Sequence, residues 1–269
     1  MAPHDSQALA LRSRQSSLLD AIASAERRID LKHRQLSLLD AVARLESRII
    51  SNVSNDDNDP TTTATTTQPS LPEDASETHK RIHESLVRHH PDTISSFRVV
   101  RVPSDYYDRP LEYRRANLSA SSVAHLCKSM VMENTKDDRP YPEGLPTTTA
   151  SGPWDSKYVM VVVQYVSKLH AEKIRDLVFD RRQGRTPRKK IKFRLAPEEV
   201  SRAITGYGHN AVTPVATARA IPVLVSHRIL DLRPDFFFLG AGEVDLKVGF
   251  SAAEFVEAYG AHVLDCTYD

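Results

Sequence analysis

The chain has only two cysteines in 269 residues, Cys127 and Cys266. Two thiols cannot build a disulfide framework, and such sparse use fits a reducing compartment. No apolar run approaches the length of a membrane span. The first residues lack the short apolar core of a secretory signal, and Asp5, Asp20 and Glu26 do not suit a transit peptide. The cytoplasm is therefore the expected location. A net charge of +1 gives no overall bias toward polyanions, so DNA is not an expected partner. Any contact with nucleic acid must come from local clusters. The sequence has no HExxH and no cysteine at zinc-site spacing beside a histidine pair, so neither a metal nor a cofactor is expected. His79 and His83, four apart on a helix, read as a solvated, unliganded face.

What is present divides into three kinds of material. Residues 6–50 contain no Gly or Pro and read as helix. Leu11, Leu18 and Ala25 alternate with Gln15, Ile22 and Ile29 in a heptad seam. Leu31, Leu38 and Leu45 form a second seam with Gln35, Val42 and Ile49. Arg14–Ala21 recurs as Arg34–Ala41, one residue short of three heptads, so the seam slips phase near Asp30. No turn residue separates the two blocks, which favours one long coiled-coil helix over a helical hairpin. Residues 51–76 are rich in Thr, Asn, Asp and Pro and read as a flexible tether. Residues 77–269 read as one α+β domain.

Within that domain, a helix is expected from Glu77 to about His90, ended by Pro91. Strands follow at Phe97–Val102 and Lys128–Glu133, the second fed by a short helix over Ser119–Leu126. Tyr141–Pro153 is a Pro/Gly/Thr-rich loop. The β-branched run Tyr158–Val166 suits a buried central strand. A helix from about Leu169 to Phe179 precedes a basic segment. Pro197–Ile204 reads as a helix, with Glu198 and Glu199 where the helix dipole favours them. Strands at Val223–Val225, Phe236–Leu239 and Leu246–Val248 follow. Ser251 caps a last helix through Tyr259, and His262–Leu264 closes the sheet.

Three segments carry the candidate chemistry. Lys128 opens the strand after Cys127; alternation sends the two side chains to opposite faces, with Cys127 toward the core. On the strand pattern alone Lys128 reads as a solvated strand end. Gly206-Tyr207-Gly208-His209-Asn210-Ala211-Val212-Thr213-Pro214 is a small-residue loop. Gly240-Ala241-Gly242-Glu243 is a second one, entering Asp245-Leu246-Lys247-Val248. By itself that glycine pair is an ordinary tight turn, since no helix follows to make a dinucleotide fingerprint.

In order and spacing, over roughly Phe97 to Thr267, the three segments resemble the YbaK/ProX family, whose members hydrolyse mischarged aminoacyl-tRNAs. The resemblance implies a mixed, barrel-like sheet wrapped by helices, with the N-terminal coiled coil outside that core. It implies that Lys128 is the essential side chain, binding the phosphate or ribose end of the tRNA and holding the ester near the attacking water. Such a bond is already activated, so positioning and electrostatics suffice without a triad. Asn210-Ala211-Val212-Thr213-Pro214 stands where the family has a GxxxP loop, which makes Asn210, Ala211 and Pro214 substrate-binding candidates. Asn210 replaces the glycine, and Asn tolerates left-handed φ better than most residues. In Gly240, Ala241 and Gly242 small residues let backbone N–H groups approach a ligand oxygen. Glu243 follows where some relatives carry a substrate-sorting residue. Tyr106 and Tyr107 lie in the region that shapes the family's pocket.

The expected activity is trans-editing deacylation, most simply of tRNA-Pro carrying a small residue such as alanine or cysteine. Arg188, Lys189 and Lys190, in a densely basic run, would contact tRNA phosphates. The coiled coil would pair with a second copy, a synthetase or another translation partner. The rival reading is an inactive relative that binds tRNA or a synthetase, and Asn210 keeps it open.

Overall fold

Every residue of Tyr158–Gln164 is buried, and the domain is arranged around that strand. The structure, a computed structural model, describes residues 71–89, 92–141, 143–144 and 153–268. The heptad seams of residues 1–50, the tether up to residue 70 and most of the 141–153 loop lie outside the described residues. Residues 71–76, assigned to the tether on composition, belong to the domain. Ala75 is buried, and the Ser76 hydroxyl accepts from the His79 N–H at 3.1 Å and donates to Glu243.

The strands are β1 (Phe97–Arg101), β2 (Cys127–Asn134), β3 (Tyr158–Gln164), β4 (Phe193–Leu195), β5 (Val223–Ser226), β6 (Phe237–Gly240), β7 (Leu246–Phe250) and β8 (His262–Leu264). The helices are α1 (Glu77–His89), α2 (Leu111–Leu118), α3 (Ala171–Arg181), α4 (Glu198–Thr205), α5 (His227–Leu230) and α6 (Ala252–Ala258). The class is α+β, as expected. The single barrel-like sheet is corrected: the strands lie in two sheets, ordered β4-β2-β3-β5-β8 and β1-β7-β6. The first is mixed, with β3-β5 and β5-β8 parallel and its other pairs antiparallel. One parallel bridge, Leu126 to Phe238, joins the sheets. Beyond it β2 and β6 part, and the gap between them becomes the site described below.

The continuous apolar pattern of β3 follows from coverage on both faces. Val159, Val161 and Val163 pack with Ile174 and Val178 of α3 and with Phe193. On the other face Met160 meets Val131 and Ile204 of α4, while Val162 joins the largest core. That core stacks Phe250 on Phe255 at 5.1 Å and holds Ile82 and Leu86 of α1.

Three local readings change. The helix expected over Ser119–Leu126 is a 3-10 turn at Val123–His125, preceded by α2, which the sequence reading missed. Ser119 ends α2 in the left-handed region at φ 51°, a stop without glycine. The basic segment contains β4, whose Phe193 is buried. His79 is not solvated but buried, and burial, then Arg101, lowers its pKa. Other signals behave as physics requires. Pro197 precedes α4, and the Ser251 hydroxyl accepts from the Glu254 N–H at 3.3 Å.

Candidate active site

Where the two sheets part there is a cleft of about 360 Å³. Its floor is the edge of β2 from Lys128 to Val131. One wall is the loop from Tyr207 to Val212 and another is Gly240 at the end of β6. Leu195, Ala196, Glu198 and Ser201 form the side toward α4, while Tyr107 and Tyr165 stand at the Lys128 end.

The edge of β2 is open for a reason that can be read in its hydrogen bonds. The Tyr165 N–H donates to the Leu126 carbonyl and the Asn134 N–H to the Lys157 carbonyl, so even-numbered residues of β2 bond to β3. Odd-numbered residues face the other way. The Ala196 N–H bonds to the Val131 carbonyl, but the chain then turns at Pro197 into α4, and among the described residues no strand continues opposite Ser129.

Lys128 is half-buried, and its Nζ stands 5.6 Å from the centre of the Tyr165 ring. Among the described residues no carboxylate pairs with this ammonium. Cys127, one residue earlier, is fully buried, and burial raises its thiol pKa well above the usual value. The alternation expected at this pair is present.

Asn210 has φ 60°, the left-handed conformation that glycine adopts freely and asparagine tolerates. Its carbonyl accepts from the Tyr107 hydroxyl at 2.8 Å, which ties the 3-10 turn Tyr106–Asp108 to the loop. Burial raises the Tyr107 and Tyr165 pKa values, so both phenols stay protonated. Ala211 and Pro214 are buried behind the loop.

Gly240 allows close approach: a Cβ there would lie 3.1 Å from the Val212 carbonyl oxygen. Ala241 and Gly242 play a different part from the one expected. The Ala241 N–H donates to Leu246 and the Gly242 N–H to the Ala211 carbonyl, each at 3.0 Å. Both donors are taken up by the fold, and the second fixes the Ala211 loop to the strand end. Glu243 does not line the cleft. It bonds Ser76 and ion-pairs with Arg101 at 3.1 Å, beside the Arg101–Asp245 pair at 2.5 Å. Arg188, Lys189 and Lys190 form an exposed 3-10 turn outside the lining, with Arg188 held by Asp176 at 2.5 Å. Arg188 lies seven positions before Leu195 at the cleft, a reach of at most about 25 Å.

Several cleft residues carry no signal in the sequence reading. Tyr165, Glu198 and Ser201 reach it only through tertiary packing, while Ser129 and His209 lie inside the strand and loop motifs without an assigned role. Behind the cleft Lys247, 3% exposed, donates to the Val244 carbonyl at 2.6 Å and lies 4.8 Å from the Tyr107 ring centre. Burial lowers its pKa to about 8.

Comparison of the fold with solved structures places it among known ones. A candidate trans-editing enzyme for prolyl-tRNA synthetase superposes with a TM-score of 0.54 at 18% identity, covering 72% of this chain and 99% of that one. The domain has the YbaK/ProX fold. A scaffold protein used for epitope grafting by computational design matches this YbaK/ProX fold with a TM-score of 0.53 at 16% identity, covering 72% and 99% of the two chains. No family model matches the sequence, and no curated protein matches it.

Proposed function

We propose that this chain is an aminoacyl-tRNA deacylase that edits in trans. The observation that carries the proposal is Lys128, an ammonium without a carboxylate partner among the described residues, at the mouth of a cleft walled by the Asn210 loop and Gly240. An aminoacyl ester presents a carbonyl that becomes an oxyanion when water attacks, next to a ribose and a phosphate of fixed negative charge. Lys128 can hold either the ribose–phosphate end or the developing charge. Glu198 on the cleft wall suits the substrate's α-ammonium. The likeness to a candidate trans-editing enzyme for prolyl-tRNA synthetase supports tRNA-Pro as the tRNA, and a small residue is the amino acid we propose for it. The left-handed Asn210 answers the main objection from sequence, because the loop keeps a glycine-like backbone with asparagine in place. Exposed Arg188, Lys189 and Lys190 would meet tRNA phosphates beyond the acceptor end, and the heptad seams of residues 1–50 would join a second copy or a synthetase.

The test is a panel of tRNAs, each carrying one non-cognate amino acid, incubated with the purified chain. Hydrolysis of at least one ester well above the spontaneous rate is expected. A chain inert on the whole panel that still binds tRNA would establish the non-catalytic alternative.

A further inference from the structure

Ser129 follows Lys128 on β2 and lines the floor of the cleft. Only 9% of its surface is exposed, and its Oγ has no hydrogen-bond partner among the described residues. Strand alternation puts its side chain on the face of Cys127 and Val131, opposite that of Lys128. At the cleft Val131 packs with Ala196 and Val212. Beyond Lys128 the floor is therefore an apolar surface with the Ser129 hydroxyl set in it. Buried polar groups are as a rule paired, because an unpaired one weakens the fold, and for one at the floor of a cleft a bound ligand can supply the partner.

We infer that Ser129 is a specificity-determining residue whose hydroxyl bonds the side chain of the amino acid to be removed, selecting a small residue that carries a hydroxyl. The inference rests on the deacylase reading above and narrows its substrate. A serine hydroxyl both donates and accepts, so one hydroxyl partner satisfies it. Val131, Ala196 and Val212 add no polar contact of their own, so the Ser129 hydroxyl is the polar group that this part of the floor presents to a short side chain. A site that bonds a substrate hydroxyl rejects the analogue lacking it, since its own group is then left buried and unpaired. A seryl ester is thus the preferred substrate over an alanyl ester on the same tRNA.

Single-turnover hydrolysis of seryl- and alanyl-esters of one tRNA, by wild type and Ser129→Ala, tests this together with thermal unfolding. The wild type should favour the seryl ester by about tenfold or more, and the variant should bring the ratio close to one. Removing an unpaired hydroxyl should also hold Tm or raise it by about 2–4 °C. An unchanged ratio overturns the inference. So does a fall in Tm, which would mean that the hydroxyl is bonded within the fold. A wild type that hydrolyses alanyl esters without preference removes the role of Ser129 alone. One that hydrolyses no ester removes the deacylase reading, and this inference with it.

Discussion

Gly242 stands where the glycine loop, α1 and the Tyr207 loop meet, and replacing it with alanine tests how tightly the site is locked. Its φ of +83° is left-handed, which costs an alanine about 1–2 kcal/mol. A Cβ there would lie 2.5 Å from Thr78 Cγ2 and 2.6 Å from Tyr207 Cε1, inside any real contact. Tyr207 is anchored by its hydroxyl to the Val215 and Ala216 carbonyls at 2.8 and 2.9 Å, so it cannot swing away freely. Overpacking of this kind adds about 1–3 kcal/mol. The total for Gly242→Ala is about 2–5 kcal/mol. Two other glycines separate the terms. Gly184 has φ +72° and nothing within 4 Å of its Cβ position, so Gly184→Ala should show the backbone strain alone. Gly208 has neither a left-handed φ nor a neighbour in that space, and Gly208→Ala should be neutral or slightly stabilising. Urea unfolding followed by the fluorescence of Trp154, the single tryptophan, measures all three with midpoints and m-values. Equal losses at Gly242 and Gly184 would refute the reasoning, because the crowding against Thr78 and Tyr207 would then contribute nothing.

Lys247 makes stability depend on pH. Its pKa in the fold is lowered to about 8 from 10.5, so the unfolded chain binds the extra proton more readily and the penalty, about 3 kcal/mol, is full below pH 8. The penalty fades as pH rises from 8 toward 10.5, and the stability gap between Lys247→Met and wild type should shrink over that interval; a constant gap would show that Lys247 does not titrate there. Neutralising Arg188, Lys189 and Lys190 together should lower the slope of log K against log salt for tRNA by about 0.7–0.9 for each phosphate that the variant no longer neutralises, and an unchanged slope would place tRNA elsewhere on the domain.

The parts of the fold that sequence revealed are those in which one short segment carries its own reason. Tyr158–Gln164 is apolar throughout because both faces are covered, and Ser251 is a cap three residues before the N–H it accepts. What escaped depends on distant residues. β4 is three residues long inside a basic run, with one buried side chain to mark it. α2 stops at a serine in left-handed conformation, where only glycine or asparagine would have signalled an end. The same division holds in the cleft. Lys128, Asn210 and Gly240 stand in contiguous motifs and meet there, whereas Tyr165, Glu198 and Ser201 arrive from separate elements. Glu243 shows the converse error, because nearness in sequence to the glycine loop suggested a pocket residue. Arg101, brought alongside by the β1–β7 ladder, draws its carboxylate away instead.

The central claim is that Lys128 supplies the charge that makes this cleft a deacylase. Its most direct test is the single-turnover hydrolysis of the best ester from the tRNA panel by Lys128→Ala beside the wild type, with unfolding curves for both. Lys128 is half-buried and pairs with no carboxylate among the described residues, so the variant should unfold at the wild-type midpoint. Its rate should fall by about 10²–10³, the loss expected when one preorganised electrostatic contact to the transition state is removed. A folded variant that hydrolyses the ester as fast as the wild type would contradict the account.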